Sequence, residues 1–506
     1  MLRLALGTFT TLLGLAAATA AAAAPGQPGT NSLTHRQWFE VRTANFHIYS
    51  CGPTEEVARV AMRLEQFREA YALLAGAQAV ASPPIVVMAF PDQATMQPFL
   101  PLYQGKPASL AALFRRGSDQ NLIVFALSGT DIEPLKVIFH EYTHLLLRHN
   151  EPYWPLWLAE GMAEIYASFE VFGGSHARIG NPSAYHLHLL AQTPLLPLQE
   201  LFAVTPKSPE YNERQLQGIF YSESWLLTHY LMLGGNPAHK ADFRQLTPLL
   251  RQGEPPEQAF TDALHTTVPA MEAELRHYLA HGKLEPLELT LRASLATPSS
   301  FMPRGLKPME VRYRLGDELL HIGRLDAAES YFMEAEKLDP GSPLPNEGLG
   351  LLAARRGRHS EAVRYLHRAM QLGPLNFLAH YTYAREKFRI AASGTHMQPL
   401  EEELAVEIRA ELQKSLALMP DFGPAQHLLG SLELTQGQDL SAAQKHIERA
   451  IQLEPENLSY VLSLAQVQLA KRDPAAAGRT LEPLRLPYVE PRVRAHAEEM
   501  IKSLGQ

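Results

Sequence analysis

His140-Glu141-Tyr142-Thr143-His144 decides how the rest of the chain is read. In an α-helix, about 3.6 residues per turn place His140 and His144 one turn apart on one face. Two imidazoles stacked that way converge on a single divalent ion, with zinc–nitrogen bonds of ~2.0–2.1 Å. Glu141 is rotated off that line toward the open coordination position, where a carboxylate takes a proton from water. The flanks suit a helix. Thr130 and Asp131 are capping residues, Glu133 belongs in a first turn and Pro134 is tolerated there. Leu135, Ile138, Phe139, Tyr142, Leu145 and Leu146 form an apolar stripe, and Asn150 and Pro152 end it. His149 then falls beyond the helix, on the surface.

Catalytic zinc takes three protein ligands and leaves a position for water. Sixteen residues after His144 stands Glu160, within Leu156-Trp157-Leu158-Ala159-Glu160-Gly161-Met162-Ala163-Glu164. Pro155 opens that segment as a helix start. Glu160 supplies an oxygen from a second helix, and Gly161 lets the two helices approach closely. Glu164, one turn on, either hydrogen-bonds a liganding imidazole or belongs to a solvated helix face.

HEYTH followed by WLAEGMAE resembles the gluzincin zinc metallopeptidases, above all their peptidase-MA-like branch and more distantly the aminopeptidase branch. The resemblance implies an α+β zincin-like amino-terminal part, a small sheet plus active-site helices. It also implies a Zn2+ cofactor held by His140, His144 and Glu160, with Glu141 as general base of peptide-bond hydrolysis. Gly218 to Leu231 resembles the gluzincin helix whose tyrosine hydroxyl steadies an oxyanion, and Tyr221 is the matching position. Without that resemblance, Phe220, Tyr221, Trp225 and Leu226 are an aromatic core stripe at helical spacing. The chain carries no G-x-M-E-N-type element, by which the aminopeptidase branch grips a free amino terminus; this counts against exopeptidase action. His186 and His188 form an H-x-H pair that diverges on a helix, which argues against a second metal site.

With 506 residues and a formal net charge of −8, the chain is long enough for about three domains and is the wrong sign for a nucleic-acid binder. Residues 1–24 combine a basic start at Arg3, an apolar run from Leu4 to Leu15 and an alanine-rich tract before Pro25-Gly26. They read as a secretory signal peptide cleaved near Ala22 to Ala24, which sends the protein to the periplasm or outside the cell. An uncleaved anchor is the alternative. Cys51 is the single cysteine, so no intramolecular disulfide forms, and its reading is a half-buried small hydrophobe.

An α/β subdomain is expected over 30–130. Strands fall at Phe39 to Arg42, Phe46 to Tyr49, Pro84 to Phe90 and Asn121 to Phe125, and a helix at Glu55 to Leu74. The resemblance implies that Asn121 to Phe125 borders the cleft and pairs with substrate backbone; a plain core strand is the alternative. Pro98 to Ser118 reads as a loop-rich stretch overhanging the site. A mostly helical subdomain spans 131–290, and a linker 291–308.

Beyond the linker a period appears. Gly323, Ala328, Tyr331, Ala335, Leu338 and Pro340 recur 34 residues on as Gly357, Ala362, Tyr365, Ala369, Leu372 and Pro374. The pattern resembles the tetratricopeptide repeat. Ser415, Leu418 and Pro420 continue it after twelve extra residues near Ala391 to Glu402, and Ala450, Leu453 and Pro455 follow. A weaker unit covers Ser459 to Leu486, and Pro491 to Leu504 is a capping helix. An all-α solenoid over 309–506 is expected, binding a substrate or partner protein or else serving as a rigid extension. The functional expectation is an exported zinc metallopeptidase without stable membrane insertion. The alternative is a non-catalytic envelope scaffold with a structural zinc site.

Overall fold

The computed structural model describes residues 33–75, 85–103, 105–108, 110–117, 119–128, 133–150, 154–212, 214–234, 236–252, 254–292, 301–373, 375–392, 399–486 and 489–504. The expected export segment 1–24, the caps Thr130 and Asp131, the stop at Pro152 and residues 293–300 of the expected linker lie outside them. No helix among the described residues is long and apolar enough to cross a membrane.

In chain order the elements used below begin with β1 (Phe39–Arg42), β2 (Phe46–Ser50), α1 (Thr54–Ala75), β3 (Ile85–Asp92), β4 (Ala112–Arg115) and β5 (Asn121–Ser128). Then come α2 (Pro134–Asn150), α3 (Leu156–Ala167), β6 (Glu170–Phe172), β7 (His176–Ile179), α4 (Ala184–Gln192), α5 (Arg214–Met232), α6 (Val268–His281), β8 (Leu287–Thr290) and β9 (Arg304–Gly305). The repeat helices are α7 (Pro308–His321), α8 (Leu325–Leu338), α9 (Pro343–Arg355), α10 (His359–Leu372), α11 (Phe377–Ala392) and α12 (Glu402–Leu418). They continue as α13 (Gly423–Gln436), α14 (Leu440–Leu453), α15 (Leu458–Ala470), α16 (Pro474–Leu481) and α17 (Pro491–Leu504).

The chain divides into two compact units. One takes the described residues of Met1–Ala61, Pro83–Ile138 and Pro298–Leu375, the other those of Met62–Ser82, Phe139–Thr297 and Asn376–Gln506.

The first unit is built on a six-stranded sheet in the order β9-β1-β2-β3-β5-β4. β2, β3 and β5 run parallel, while β1, β9 and β4 are antiparallel to their neighbours. Ile85 to Phe90 and Asn121 to Ala126 are buried throughout, as strands covered on both faces must be. This settles the alternative left open for Asn121 to Phe125. Its backbone is already paired with β3 on one side and β4 on the other, so it is a core strand and has no edge to offer a substrate. The stretch expected to be a loop, Pro98 to Ser118, contains β4 itself and a short pairing of Leu102–Tyr103 with Lys106–Pro107.

The helical pairs α7–α8 and α9–α10 belong to the same unit. Their turns contain Gly323 and Gly357 at φ +84 and +71, a left-handed conformation that glycine adopts without steric penalty. Ala328, Ala335, Ala362 and Ala369 are fully buried where each second helix meets its first. Residues of the expected linker and first repeat fasten these helices to the sheet. β9 pairs with β1, and Arg304 reaches the buried Glu40 carboxylate at 2.9 Å. His321 Nε2 lies 3.2 Å from Asp119 Oδ2, while Gln120 donates to Asp317 at 3.3 Å. The Arg314 guanidinium stacks on the Tyr49 ring at 4.6 Å.

The second unit contains the motif helices and the later repeats. The expected run of helices to residue 290 is broken by a three-stranded antiparallel sheet, β8-β7-β6. Gly173 and Gly174, both at positive φ, make the β6–β7 turn; this Gly-Gly pair is a hairpin signal that the helical reading passed over. In the repeats, Ala405, Ile408, Leu412, Phe422, Ala425 and Leu432 form one core. Ala477, Leu481, Ala497 and Met500 form another, under the capping helix α17.

Candidate metal centre

α2 is seated by its apolar stripe. Ile138, Phe139, Tyr142, Leu145 and Leu146 are buried, and Phe139 stacks on Phe67 with ring centroids 4.5 Å apart. Phe169 meets both rings edge-on, and Arg68 hydrogen-bonds the Tyr142 hydroxyl. The opposite face therefore carries His140 and His144. The helix runs to Asn150, so His149 lies inside its last turn and not beyond it.

α3 follows and presents Glu160. The His140 Nε2–Glu160 Oε2 distance is 3.3 Å, His144 Nε2–Glu160 Oε2 is 3.2 Å, and the two Nε2 atoms are 3.2 Å apart. These three atoms, from residues 140, 144 and 160, lie close enough together that they could hold a metal ion, the group of that kind among the described residues. His140, Glu141 and Glu160 are 5%, 8% and 2% exposed. Tetrahedral zinc with bonds of ~2.0–2.1 Å sets its ligand atoms about 3.3–3.4 Å apart, so the triangle has the size this ion requires. The donor chemistry agrees: Glu160 Oε2 is buried and faces two imidazole nitrogens, with a hydrogen bond of regular geometry to neither.

The electrostatics follow from that crowding. Burial opposes the Glu160 charge, but His144 and His140 outweigh it and bring the carboxyl down to about 2. Burial likewise opposes charge on His140; Glu164 and Glu160 outweigh it and hold the imidazole well above its usual range. A divalent ion would take the place of these shared protons, since only deprotonated imidazole and carboxylate ligate it.

The outer atoms are tied down as well. His140 Nδ1 faces Glu164 Oε1 at 3.2 Å, the imidazole partner that was one of the two expectations for Glu164. The other Glu164 oxygen meets His186 Nε2 at 3.0 Å. His186 is buried and His188 exposed, the divergence expected of the pair. Glu160 Oε1 accepts a hydrogen bond from Tyr211 at 3.1 Å. Burial, then the charge of Glu160, raises the Tyr211 phenol far above its ordinary value, and Glu141 adds to the effect. Tyr221 is buried with its ring 6.2 Å from that of His140 and 6.2 Å from that of Tyr211. Sequence reasoning missed Tyr211 and gave His186 no part in the site. Tyr211 stands 51 residues from Glu160 in a segment without a motif.

Gly161 allows a close approach, but not between α2 and α3. A Cβ there would lie 2.1 Å from Thr228 Oγ1 and 2.3 Å from the Ser224 carbonyl oxygen, so the tight crossing is between α3 and α5. The reason is rotational: Glu160 faces the imidazoles, and its neighbour one residue on faces away from them. Cys51 is half-buried, and burial pushes its thiol up to about 11, as befits an inert small hydrophobe.

Residues 310–342 match the tetratricopeptide repeat family. A curated relative, cellulose synthase 1 operon protein C of Komagataeibacter xylinus, is 28% identical over 174 residues, 33% of this chain; the match spans 12% of that relative's length. Among solved structures, YrrB, described as a TPR protein with an unusual peptide-binding site, is 15% identical. It covers 37% of this chain and 90% of its own, with a TM-score of 0.31. TTC0263, a thermophilic TPR protein of Thermus thermophilus, is 17% identical, over 38% of this chain and 99% of its own, with a TM-score of 0.30. The type IV pilus biogenesis factor PilW is 17% identical over 54% of this chain and 100% of its own, also at 0.30. The family match covers one helical pair, and the 34-residue period and the paired helices that follow continue its pattern toward the carboxy terminus.

Proposed function

We propose that the chain is an exported zinc-dependent metallopeptidase of gluzincin type whose repeats bind a substrate or partner protein. One observation carries this reading: His140 Nε2, His144 Nε2 and Glu160 Oε2 form a triangle 3.2–3.3 Å on a side, beside a buried Glu141. A zinc ion held there supplies Lewis acidity, polarising a peptide carbonyl and acidifying water. Glu141 takes the proton of the attacking water on its carboxylate and passes it to the leaving amine nitrogen. Tyr221 directs its hydroxyl to the oxygen that gains negative charge. Glu164 holds His140 with Nδ1 protonated, leaving Nε2 free to ligate. The export segment 1–24 supports a periplasmic or secreted location.

The test compares purified protein with Glu141→Gln. We expect about one zinc per chain in both, with peptide cleavage lowered by about 10²–10⁴-fold in the variant. Zinc-loaded protein that cleaves nothing in a broad peptide library refutes the peptidase.

A second reading, an envelope scaffold working through its repeats, is favoured by the match at residues 310–342 and by the relative encoded in a cellulose synthase operon. On that reading Glu141→Gln leaves the cellular phenotype unchanged, and changes on the exposed faces of the repeats abolish it.

A further inference from the structure

We infer that His186 is a positioning residue for His140, acting through the Glu164 carboxylate. This rests on the proposed metal centre and extends it to a third helix. An imidazole can ligate through Nε2 only while Nδ1 keeps its proton, and the acceptor of that proton must be held still. Glu164 Oε1 is that acceptor, 3.2 Å from His140 Nδ1. A carboxylate held on one oxygen alone can swing about its own side chain.

Here the second oxygen is engaged by His186 Nε2–H at 3.0 Å, so both oxygens are fixed by imidazoles from different helices. His186 is fixed in turn. Its Nδ1 lies 2.9 Å from the Ser222 oxygen, and the Ser222 hydroxyl donates to the Gly218 carbonyl at 2.8 Å. Its ring lies flat on Trp225, with centroids 5.6 Å apart and planes at 17°. Ser222 and Trp225 belong to α5, next to Tyr221 and one turn beyond it, so this chain of contacts registers α2, α3, α4 and α5 around one imidazole. The buried histidine of the H-x-H pair thereby gains a role that its spacing alone could not suggest.

His186→Phe keeps an aromatic ring against Trp225 and removes both nitrogens, whereas His186→Gln restores a donor toward Glu164. The measurements are zinc affinity by competition with a chromophoric chelator, the absorption spectrum of the cobalt-substituted protein, and melting of the metal-free form. We expect His186→Phe to weaken zinc by about 10–100-fold and shift the cobalt spectrum while metal-free melting stays near wild type. Gln should recover most of the loss. Combined with Glu164→Gln, His186→Phe should add little, because both act through one carboxylate. Wild-type zinc affinity in His186→Phe, equal losses in Phe and Gln, or full additivity with Glu164→Gln would each overturn the inference and leave the peptidase standing. Should His186→Phe fail to fold, Gln with and without Glu164→Gln carries the same comparison. Absence of zinc binding in the wild type overturns both proposals, whereas zinc binding without cleavage overturns only the peptidase.

Discussion

Gly161→Ala isolates the crossing of α3 and α5. The added Cβ would lie 2.3 Å from the Ser224 carbonyl oxygen, about 1 Å inside ordinary contact, and 2.1 Å from Thr228 Oγ1. Thr228 is buried and the carbonyl belongs to a helix, so neither yields by a simple rotamer change. α3 must move instead, by something on the order of 1 Å. Overpacking of this kind costs typically about 1–3 kcal/mol. The displacement has a second effect, because Glu160 is the adjoining residue. Its Oε2 stands 3.2 Å and 3.3 Å from the two imidazole nitrogens, a fit with no slack for a shift of that size. Gly161→Ala should therefore lower the melting temperature of the metal-free protein and weaken zinc more than tenfold, read by calorimetry and chelator competition. If the alanine variant melts and binds zinc as wild type does, the close crossing is not what sets Glu160, and the reasoning fails.

Tyr221→Phe should reduce kcat by about 10²–10³-fold with little change in KM or zinc content, since it deletes one donor to developing charge; an unchanged kcat would return Tyr221 to the aromatic core. Burial disfavours charge on His321, but Asp317 and Asp119 outweigh it and push the imidazole up to about 10. A group raised in the folded state stabilises fully below its unfolded value of about 6.5 and loses that contribution as pH climbs to about 10. Denaturant titrations of the sheet unit should thus show stability falling across that window, and His321→Gln should flatten the fall; an unaltered slope would sink the assignment. Glu318 is buried with neither oxygen hydrogen-bonded, and burial, then Asp317, raise its carboxyl well above the usual range. Glu318→Met should stabilise by on the order of 1–3 kcal/mol, more at pH 8 than at pH 5, because only the replaced acid must ionise or stay protonated at a cost. Equal or lower stability in urea at pH 8 would contradict this.

What the sequence disclosed was chiefly what period and spacing encode. The His140–His144 turn and the 34-residue repeat are written in residues whose positions recur by helix geometry, and Glu160 was pointed to by the resemblance of its segment to a metallopeptidase motif, so they could be placed without coordinates. Sheet order could not: β5 reads as a buried strand whether central or at the edge, and only its pairing with both β3 and β4 decides the matter. Gly161 was read correctly as a point of approach, yet its partner helix came from more than 60 residues downstream. Tyr211 and His186 escaped for the same reason. Their value lies in hydrogen bonds to Glu160 and Glu164, which no local pattern announces.

The stacking of Arg314 on Tyr49 and the grip of Asp119 on His321 bear on how such a gene can be cut or recombined. A breakpoint at residue 308 looks natural by the repeat register. It would remove four helices that belong to the compact unit of the sheet and leave Tyr49 without Arg314 and Asp119 without His321. The first two repeats are thus not a detachable cassette, and shuffling of this solenoid between genes should spare the segment from Pro308 to Leu372.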